Sequence, residues 1–385
     1  MHQRAGLDRA VFIPEGVLVA LPPTFDLRPL CERYDPESRP TYLTLYADLS
    51  QERHLDSLEK RRNELAASAP DGVDVDGLWT TVEAAYKAEK AKDGTRGVVV
   101  FAGPEGWVES HGLHEPIPTR LVLDSSPYVS PLAGFADDHE PFALVLLDSE
   151  QAAILEVWGG KGELKEEAGT SLIGRHRRGG MSQMRYQRHR QGQVNQFYDQ
   201  VVERLSAVVK EEGLRRIAVA GPGTAKKEFV GRLPKALAEA VATVEDVDFT
   251  DGPVDDELVR RFTALMRDEE AKESARWVDA LRRELSTGEL ATTGALETCR
   301  QAAAGRVERL VVLQGAAVPG SKCEEHQEVF PRSDRCAHCG NDGADVDLVN
   351  EAVEFTVRSS GWAEFVEAPE PFLEGVGGVG ALLRW

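Results

Sequence analysis

The sequence predicts an α/β protein with three domains in series, and two observations support this fold class. Apolar runs typical of buried strands, such as GVVVFAG (97–103) and RIAVAG (216–221), alternate along the chain with segments of helical periodicity. The chain has 385 residues, which is more than a single hydrophobic core usually organises. No internal repeat is apparent.

The first domain is predicted at residues 1–136. Strand-forming residues follow Pro40, and the next segment carries leucines at helical spacing. The polar run ADDHEP (136–141) is typical of a domain boundary. The predicted elements are a strand at 41–49, helices at 51–68 and 77–90, and strands at 97–103 and 119–124.

The second domain is predicted at residues 137–268. The run FALVLLDSEQAAILEVW (142–158) indicates two buried strands with a turn at 148–151. Alternation of strands with helices favours a mostly parallel sheet covered by helices. A long amphipathic helix that Gly213 can end is predicted from apolar residues at three- and four-residue spacing: Val194, Phe197, Val201, Val202, Leu205 and Val208.

The third domain is predicted at residues 269–385, after a charged helical connector at 255–285. The run 295–315 indicates a helix followed by a buried strand, and 352–369 has strand-like patterning. A cysteine-bearing insertion at 321–342 interrupts this domain.

The turn GPGTAKK (221–227) follows a strand and permits two interpretations. A helix N-terminus with lysines can bind phosphate, but the residues match neither of the common glycine-rich phosphate-binding patterns. A tight strand-to-helix turn is therefore the favoured interpretation.

Composition and charge exclude several classes of protein. The formal net charge is −20, which disfavours nucleic-acid binding through the whole surface and requires any such binding to be local. No run of about 18 apolar residues predicts a membrane span, and the first residues do not resemble a secretory signal. Three of the five cysteines lie within 323–339, as expected for metal ligands in a reducing compartment. We therefore expect a cytoplasmic protein.

The insertion contains a predicted structural zinc site. Cys323-x-x-His326 and Cys336-x-x-Cys339 are separated by nine residues, and two such turns can direct four ligands at one ion. Four protein ligands complete a tetrahedral shell, so the site is expected to stabilise the fold and not to catalyse. His338 lies between the second pair of cysteines and competes with His326 as a ligand; the matching spacing favours His326.

An arginine-rich segment contrasts with the acidic chain around it. Residues 174–193 hold six arginines, and no Asp or Glu occurs between 168 and 198. Gly179 and Gly180 give a backbone without side-chain bulk, and arginines bind phosphates through paired hydrogen bonds. The segment is therefore predicted to bind RNA in a confined space through Arg175, Arg177, Arg178, Arg185, Arg188 and Arg190.

The segment GRHRRGGMSQMRYQRHRQGQVNQFYDQV (174–201) resembles the Gly-Gly-Gln loop and following helix of the archaeal and eukaryotic class I peptide release factors. GVVVFAG, GPGTAKKEF, CAHCG and the final GVGALLRW are similar to the same superfamily. This resemblance implies an N-terminal decoding-site domain, an RNase H-like middle domain and a C-terminal α/β domain of ribosomal-protein-like fold. It also implies binding in the ribosomal A site, with the loop at the peptidyl-transferase centre beside the tRNA acceptor end.

Two features depart from the release-factor pattern. Met181 follows the Gly pair where release factors carry Gln, while Gln183 stands two residues later. This placement resembles Vms-type peptidyl-tRNA hydrolases and bacterial release-factor-like proteins. The first domain has neither the Asn-Ile-Lys-Ser nor the Tyr-x-Cys-x-x-x-Phe motif, and VLDSSPYVSPL (122–132) stands where the latter would fall.

The resemblance leaves three functions open. The first is a codon-independent peptidyl-tRNA hydrolase that rescues stalled ribosomes, with Gly179, Gly180, Ser182 and Gln183 at the ester. The second is a hibernation factor resembling Balon, which occupies the A site without chemistry. A true termination factor is least favoured, because the decoding motifs are missing. The resemblance also implies a translational GTPase as a partner of the C-terminal domain.

Overall fold

The computed structural model describes residues 26–51, 54–158, 161–169, 181–247, 256–288, 290–323 and 325–385, without the side chains of 54–56 and 181–187. These residues form two compact units: one contains 140–269, and the other contains 26–139 together with 270–385. No helix in the described part of the chain is both long enough and apolar enough to cross a membrane. The three-domain division at 136/137 and 268/269 stays a prediction.

Residues 26–139 contain an antiparallel sheet of order β3-β2-β1-β4. Two helices cover this sheet with apolar side chains such as Leu58, Val82 and Tyr86, which pack on Leu43, Leu45 and Val98. The elements are α1 (Arg28–Cys31), β1 (Tyr42–Asp48), α2 (His54–Ser68), α3 (Val75–Lys90), β2 (Gly97–Ala102), β3 (Val108–Leu113), β4 (Arg120–Asp124) and α4 (Ser130–Asp138). The strands and helices predicted for this region are confirmed, and β3 is an additional strand.

Residues 140–269 contain a five-stranded sheet of order β7-β6-β5-β8-β9. Its elements are β5 (Phe142–Leu147), β6 (Gln151–Trp158), β7 (Lys161–Gly169), α5 (Met181–Glu211), β8 (Arg216–Gly221), α6 (Ala225–Val230), α7 (Lys235–Glu239), β9 (Val241–Asp246) and the first part of α8 (Asp256–Thr287). The apolar face predicted for α5 is confirmed: Val194, Phe197, Val201 and Leu205 are buried against the sheet.

The prediction of a mostly parallel sheet is wrong for this unit. β5 pairs in parallel with β8, and β8 with β9, but β6 is antiparallel to both β5 and β7. The turn between β5 and β6 decides this, because so short a connection can join only antiparallel neighbours. Asp148 stabilises the turn by accepting hydrogen bonds from the N–H groups of Glu150 and Gln151 at 2.6 and 2.8 Å.

Residues 270–385 contain a second mixed sheet of order β10-β16-β11-β15 and a three-stranded ribbon of order β13-β12-β14. The last part of α8 packs on the mixed sheet through Val278 and Leu281. The elements are β10 (Ala291–Thr293), α9 (Ala295–Ala303), β11 (Val307–Leu313), β12 (Pro319–Lys322), β13 (Val329–Phe330), β14 (Ala344–Asp347), α10 (Leu348–Arg358), β15 (Trp362–Val366), α11 (Pro371–Gly375) and β16 (Val379–Leu383).

The segment 352–369, whose patterning is strand-like, is half helix and half strand in the structure. The run 352–358 lies in α10, and only the residues from Trp362 form a strand. Asp347 caps the helix by accepting the N–H of Val349 at 3.0 Å. α10 is buried on most of its circumference, and the polar residues on one of its faces, Asn350, Glu351 and Glu354, lie in the interior instead of facing solvent.

Candidate functional site

The arginine-rich segment joins the edge strand β7 to the long helix α5. β7 ends at Gly169 and α5 begins at Met181. Gly179, Gly180, Arg175, Arg177 and Arg178 lie outside the described residues. Ser182, Gln183 and Arg185 lie in the first turns of α5, but their side chains are not described.

The first buried side chain described in α5 lies well after the first residue of the helix. Val194 is the first residue of the helix with a buried described side chain, and the side chains of 188–193 are exposed or half-buried. At 1.5 Å per residue, positions 181–193 add about 20 Å of helix ahead of this anchor. We call residues 181–193 the helix start.

The two arginines with described side chains differ in their surroundings. Arg188 is exposed. Arg190 is half-buried, and its guanidinium donates to Glu150 Oε1 at 3.1 Å. No spacing pattern in the sequence connects Glu150 to Arg190, forty positions away. Arg188 is therefore the more available of the two for a phosphate.

The four predicted metal ligands come together at one end of the ribbon. The Sγ atom of Cys323 lies 3.6 Å from His326 Nδ1 and 3.6 Å from Cys339 Sγ, and Cys336 Sγ lies 3.6 Å from His326 Nδ1. All four ligand atoms lie within 4.8 Å of one another. A tetrahedral ion with typical bond lengths to sulfur and nitrogen separates its ligands by about 3.6–3.8 Å, so the spacing suits a metal.

The two ligand-bearing turns repeat the same backbone geometry. The N–H of Gln327 donates to Cys323 O at 2.8 Å, and the N–H of Gly340 donates to Cys336 O at 2.9 Å. Both Gln327 and Gly340 have positive φ, +53° and +74°, four residues after the first cysteine of their turn. Backbone N–H groups of Cys339 and His338 lower the pKa of the Cys336 thiol, which favours the thiolate that binds metal.

His326 belongs to this cluster, whereas His338 faces outward. The His338 side chain is 63% exposed, and its Nε2 atom lies 3.5 Å from Glu328 Oε2. Its ring stacks on His326, with ring centres 5.0 Å apart. All five cysteines are free thiols, so the cluster is not a disulfide.

The GPGTAKK turn has the geometry of a structural turn. Lys226 is buried, and its Nζ atom donates to Gly221 O at 3.1 Å, to Gly223 O at 2.8 Å and to Asp246. Lys226 is thus occupied within the fold. The helix that follows, α6, has only six residues.

The structure brings together three carboxylates that the sequence analysis did not predict. Asp137, Glu270 and Glu364 place carboxylate oxygens within 4.8 Å of one another. They come from α4, α8 and β15, and their positions are too far apart in the chain for spacing to reveal them.

Comparison with known proteins identifies relatives among translation factors. The protein-family model described as bacterial archaeo-eukaryotic release factor family 10 matches residues 127–262. Peptide chain release factor subunit 1 of Pyrococcus abyssi is 26% identical over 302 residues, covering 70% of this chain and 73% of that protein. The protein of the same name from Archaeoglobus fulgidus is 25% identical over 365 residues, covering 89% and 88%. A structure described as a model of ribosome-bound archaeal Pelota and ABCE1 is 18% identical, covers 75% of this chain and 77% of that chain, and has a TM-score of 0.44.

Proposed function

The chain belongs to the superfamily of class I peptide release factors, and on this basis we propose that it binds the ribosome in the A site. The observation that carries the proposal is the helix start: about 20 Å of helix precedes the first buried side chain described in α5, directly after the Gly-Gly pair, in a stretch without carboxylates from 168 to 198. Such an element can enter a narrow channel lined with RNA phosphates, because its own sequence adds positive charge and contributes no carboxylate that would repel the phosphates.

The activity that we propose is codon-independent hydrolysis of peptidyl-tRNA on stalled ribosomes. Water must be held beside the ester carbonyl, and charge must be stabilised as the ribose oxygen leaves. Gln183 acts by positioning, since an amide is no base at neutral pH, and the N–H groups of Gly179 and Gly180 donate to the developing oxyanion. Ser182 orients the loop. Arg175, Arg177, Arg178, Arg185, Arg188 and Arg190 hold the tRNA acceptor end and ribosomal RNA.

The domain assignment follows from the same superfamily. The strand order β7-β6-β5-β8-β9, with β6 antiparallel, supports an RNase H-like middle domain at 137–268. We assign 1–136 to the decoding-site side and 269–385 to a ribosomal-protein-like domain that contacts a translational GTPase. The protein works in the cytoplasm, with the ribosome.

Zinc is the ion that we assign to the ribbon. Three thiolates and one imidazole suit zinc, and four protein ligands leave no open position for a substrate. Bound zinc stabilises residues 321–342, whose core is otherwise small. Cys323, His326, Cys336 and Cys339 hold it, and it takes no part in ester hydrolysis.

Occupation of the A site without chemistry, as in a hibernation factor, is the second candidate. One observation favours it: α5 begins at Met181, so Gln183 is the third residue of a helix instead of part of the loop. Its position along the helix can turn the amide away from the ester.

A release assay separates these candidates. Purified protein is mixed with ribosomes stalled on truncated messenger RNA that carry labelled peptidyl-tRNA, and both peptide release and ribosome binding are measured. We expect stoichiometric binding, and release in the absence of any A-site codon. Tight binding without release would refute the hydrolase and support occupation of the A site without chemistry. Absence of binding would refute both functions.

A further inference from the structure

The second compact unit contains an internal contact between its two parts that includes several buried hydrogen bonds. The N–H groups of Val129 and Ser130 donate to Asn350 Oδ1 at 2.9 and 3.0 Å. The Ser126 hydroxyl donates to Glu354 Oε1 at 2.6 Å. We call the contact of residues 124–138 with α10 and β15 the joint.

One set of buried carboxylates lies at the α10 side of the joint. Asp124, Glu351 and Glu354 are at most 5% exposed. Lys322 Nζ lies 2.9 Å from Glu351 Oε2, and an Arg358 nitrogen lies 3.2 Å from Glu354 Oε2. Further titratable or charged groups face this set. Among the described residues they are Asp347, Tyr128, Cys31 of α1 and Cys299 of α9, together with Arg120, which donates to the Tyr128 hydroxyl. Carboxylates therefore outnumber the cations named here.

A second set lies at the β15 side of the same joint. Asp137, Glu270 and Glu364 place carboxylate oxygens within 4.8 Å of one another. Arg309 donates to Glu364 at 2.7 Å, and the N–H of Phe365 donates to Asp137 Oδ2 at 2.7 Å. Asp138 and Glu273 add further negative charge nearby.

Close, buried carboxylates retain protons, because burial disfavours the charged form and a neighbouring negative charge disfavours it further. Burial, with the charge of Glu351, raises the pKa of Asp124 to about 8. Burial also raises the pKa of Glu354, next to Glu351, and that of Asp137, next to Glu364, well above the usual range. Glu351 Oε1 is buried without a hydrogen-bond partner among the described residues.

We propose that the joint is a proton-controlled latch, which holds residues 26–139 against residues 270–385 when its carboxyl groups are protonated and loosens as they ionise. The proposal concerns the conformation of the chain and does not depend on any activity.

The direction of the pH effect follows from proton linkage. A carboxyl group with a raised pKa in the closed joint binds its proton more strongly there than in water. Its stabilising contribution is complete below the ordinary carboxyl pKa of about 4. For Asp124 it is lost progressively as the pH rises towards about 8, and it does not change further above that. Each such group weakens the closed joint by up to about tenfold per pH unit within its window.

Amide hydrogen exchange of the full chain tests the latch. The amides of Val129, Ser130 and Phe365 donate across the joint, and those of β5 in the other unit serve as the internal reference. After correction for intrinsic exchange rates, we expect protection at the joint to fall more than tenfold between pH 5.5 and pH 8, while β5 stays unchanged. Equal protection at both pH values, or an equal fall in β5, would overturn the proposal.

Neutral variants assign the effect to the carboxyl groups. Asp124→Asn and Asp137→Asn belong to different sets, so one remains informative if the other fails to fold. Each should reduce the pH dependence of joint protection, and the double variant should remove most of it. Asp71→Asn, at an exposed turn, is the matched control and should keep the wild-type profile. Full wild-type pH dependence in the folded variants would contradict the latch.

Discussion

The helix start and the joint use charge in opposite ways. The helix start carries arginines in a stretch free of carboxylates, and Arg188 is exposed to solvent. The joint gathers carboxylates in the interior, where Glu354 is 0% exposed. Exposed cations attract a distant polyanion through water, whereas buried acids act on their immediate neighbours by keeping or losing protons.

The two regions should therefore respond to different solution variables. Salt screens exposed charges over roughly 8–10 Å at physiological ionic strength but acts weakly on buried groups. Changes of pH near neutrality leave arginines charged, yet they titrate carboxyl groups whose pKa values are raised. Salt should control partner binding by the helix start, and pH should control the joint.

We expect the largest effect from loss of the proposed zinc, because the ribbon is connected to the joint and both should then be weakened. Lys322, which pairs with Glu351 in the joint, directly precedes the ligand Cys323. Structural zinc contributes about 10 kcal/mol or more in small domains. We expect Cys336→Ser to lose one zinc per chain and to abolish amide protection in 319–347, with weaker protection at Val129 and Ser130.

His338→Ala is the control for this experiment, and His326→Ala is the test of the ligand assignment. Metal analysis should find zinc in the first variant and little in the second. The reverse result would assign the fourth ligand to His338. Unchanged joint protection in metal-free protein would show that the ribbon and the joint are independent.

A large effect on catalysis is expected at the helix start. Removing one positioning group typically lowers a rate by about 100-fold or more. We expect Gln183→Ala to reduce peptide release by that factor without changing ribosome affinity, whereas Met181→Ala has little effect. Single-turnover release and binding measured on the same ribosomes provide the comparison. Equal losses of release activity in both variants would indicate that release depends on the local helix structure and not on the Gln183 amide.

At the joint, Asn350→Ala should lower the free energy of unfolding without affecting the helix start. The substitution leaves the Val129 and Ser130 N–H groups unpaired in a buried site, at a cost of about 3 kcal/mol. Denaturant unfolding measures the change. Asn63→Ala, on the exposed face of α2, should stay within about 0.5 kcal/mol of wild type. A similarly small change for Asn350→Ala would mean that the joint contributes little to stability.

The smallest effect is expected from Arg188→Ala. Loss of one phosphate contact should reduce the slope of log affinity against log salt by about 0.7–0.9 while unfolding stays unchanged. Arg190→Ala should change the slope less, because Glu150 already binds Arg190. Arg204→Ala is the control on the same helix, since Arg204 contacts Glu166 and Glu167. An unchanged slope for Arg188→Ala would show that this arginine does not contact an RNA phosphate.

The amino-acid sequence by itself determined the features that depend on residues close together in the chain. Helical spacing from Val194 to Val208 defined the buried face of α5, because contacts three and four residues apart are fixed by the helix. The Cys-x-x-His and Cys-x-x-Cys spacings defined the metal cluster, because each turn directs two ligands locally. The concentration of arginines at 175–190 was likewise visible without a fold.

Only the tertiary structure decided the features that depend on distant residues. β5 pairs in parallel with the distant strand β8, α10 is a helix despite its strand-like composition, and Arg190 contacts Glu150. Asp137, Glu270 and Glu364 form one set of carboxylates although more than ninety residues separate each from the next. Burial and charge proximity raise the pKa values of Asp124 and Asp137, and both causes arise from packing between elements, which no local spacing of residues specifies.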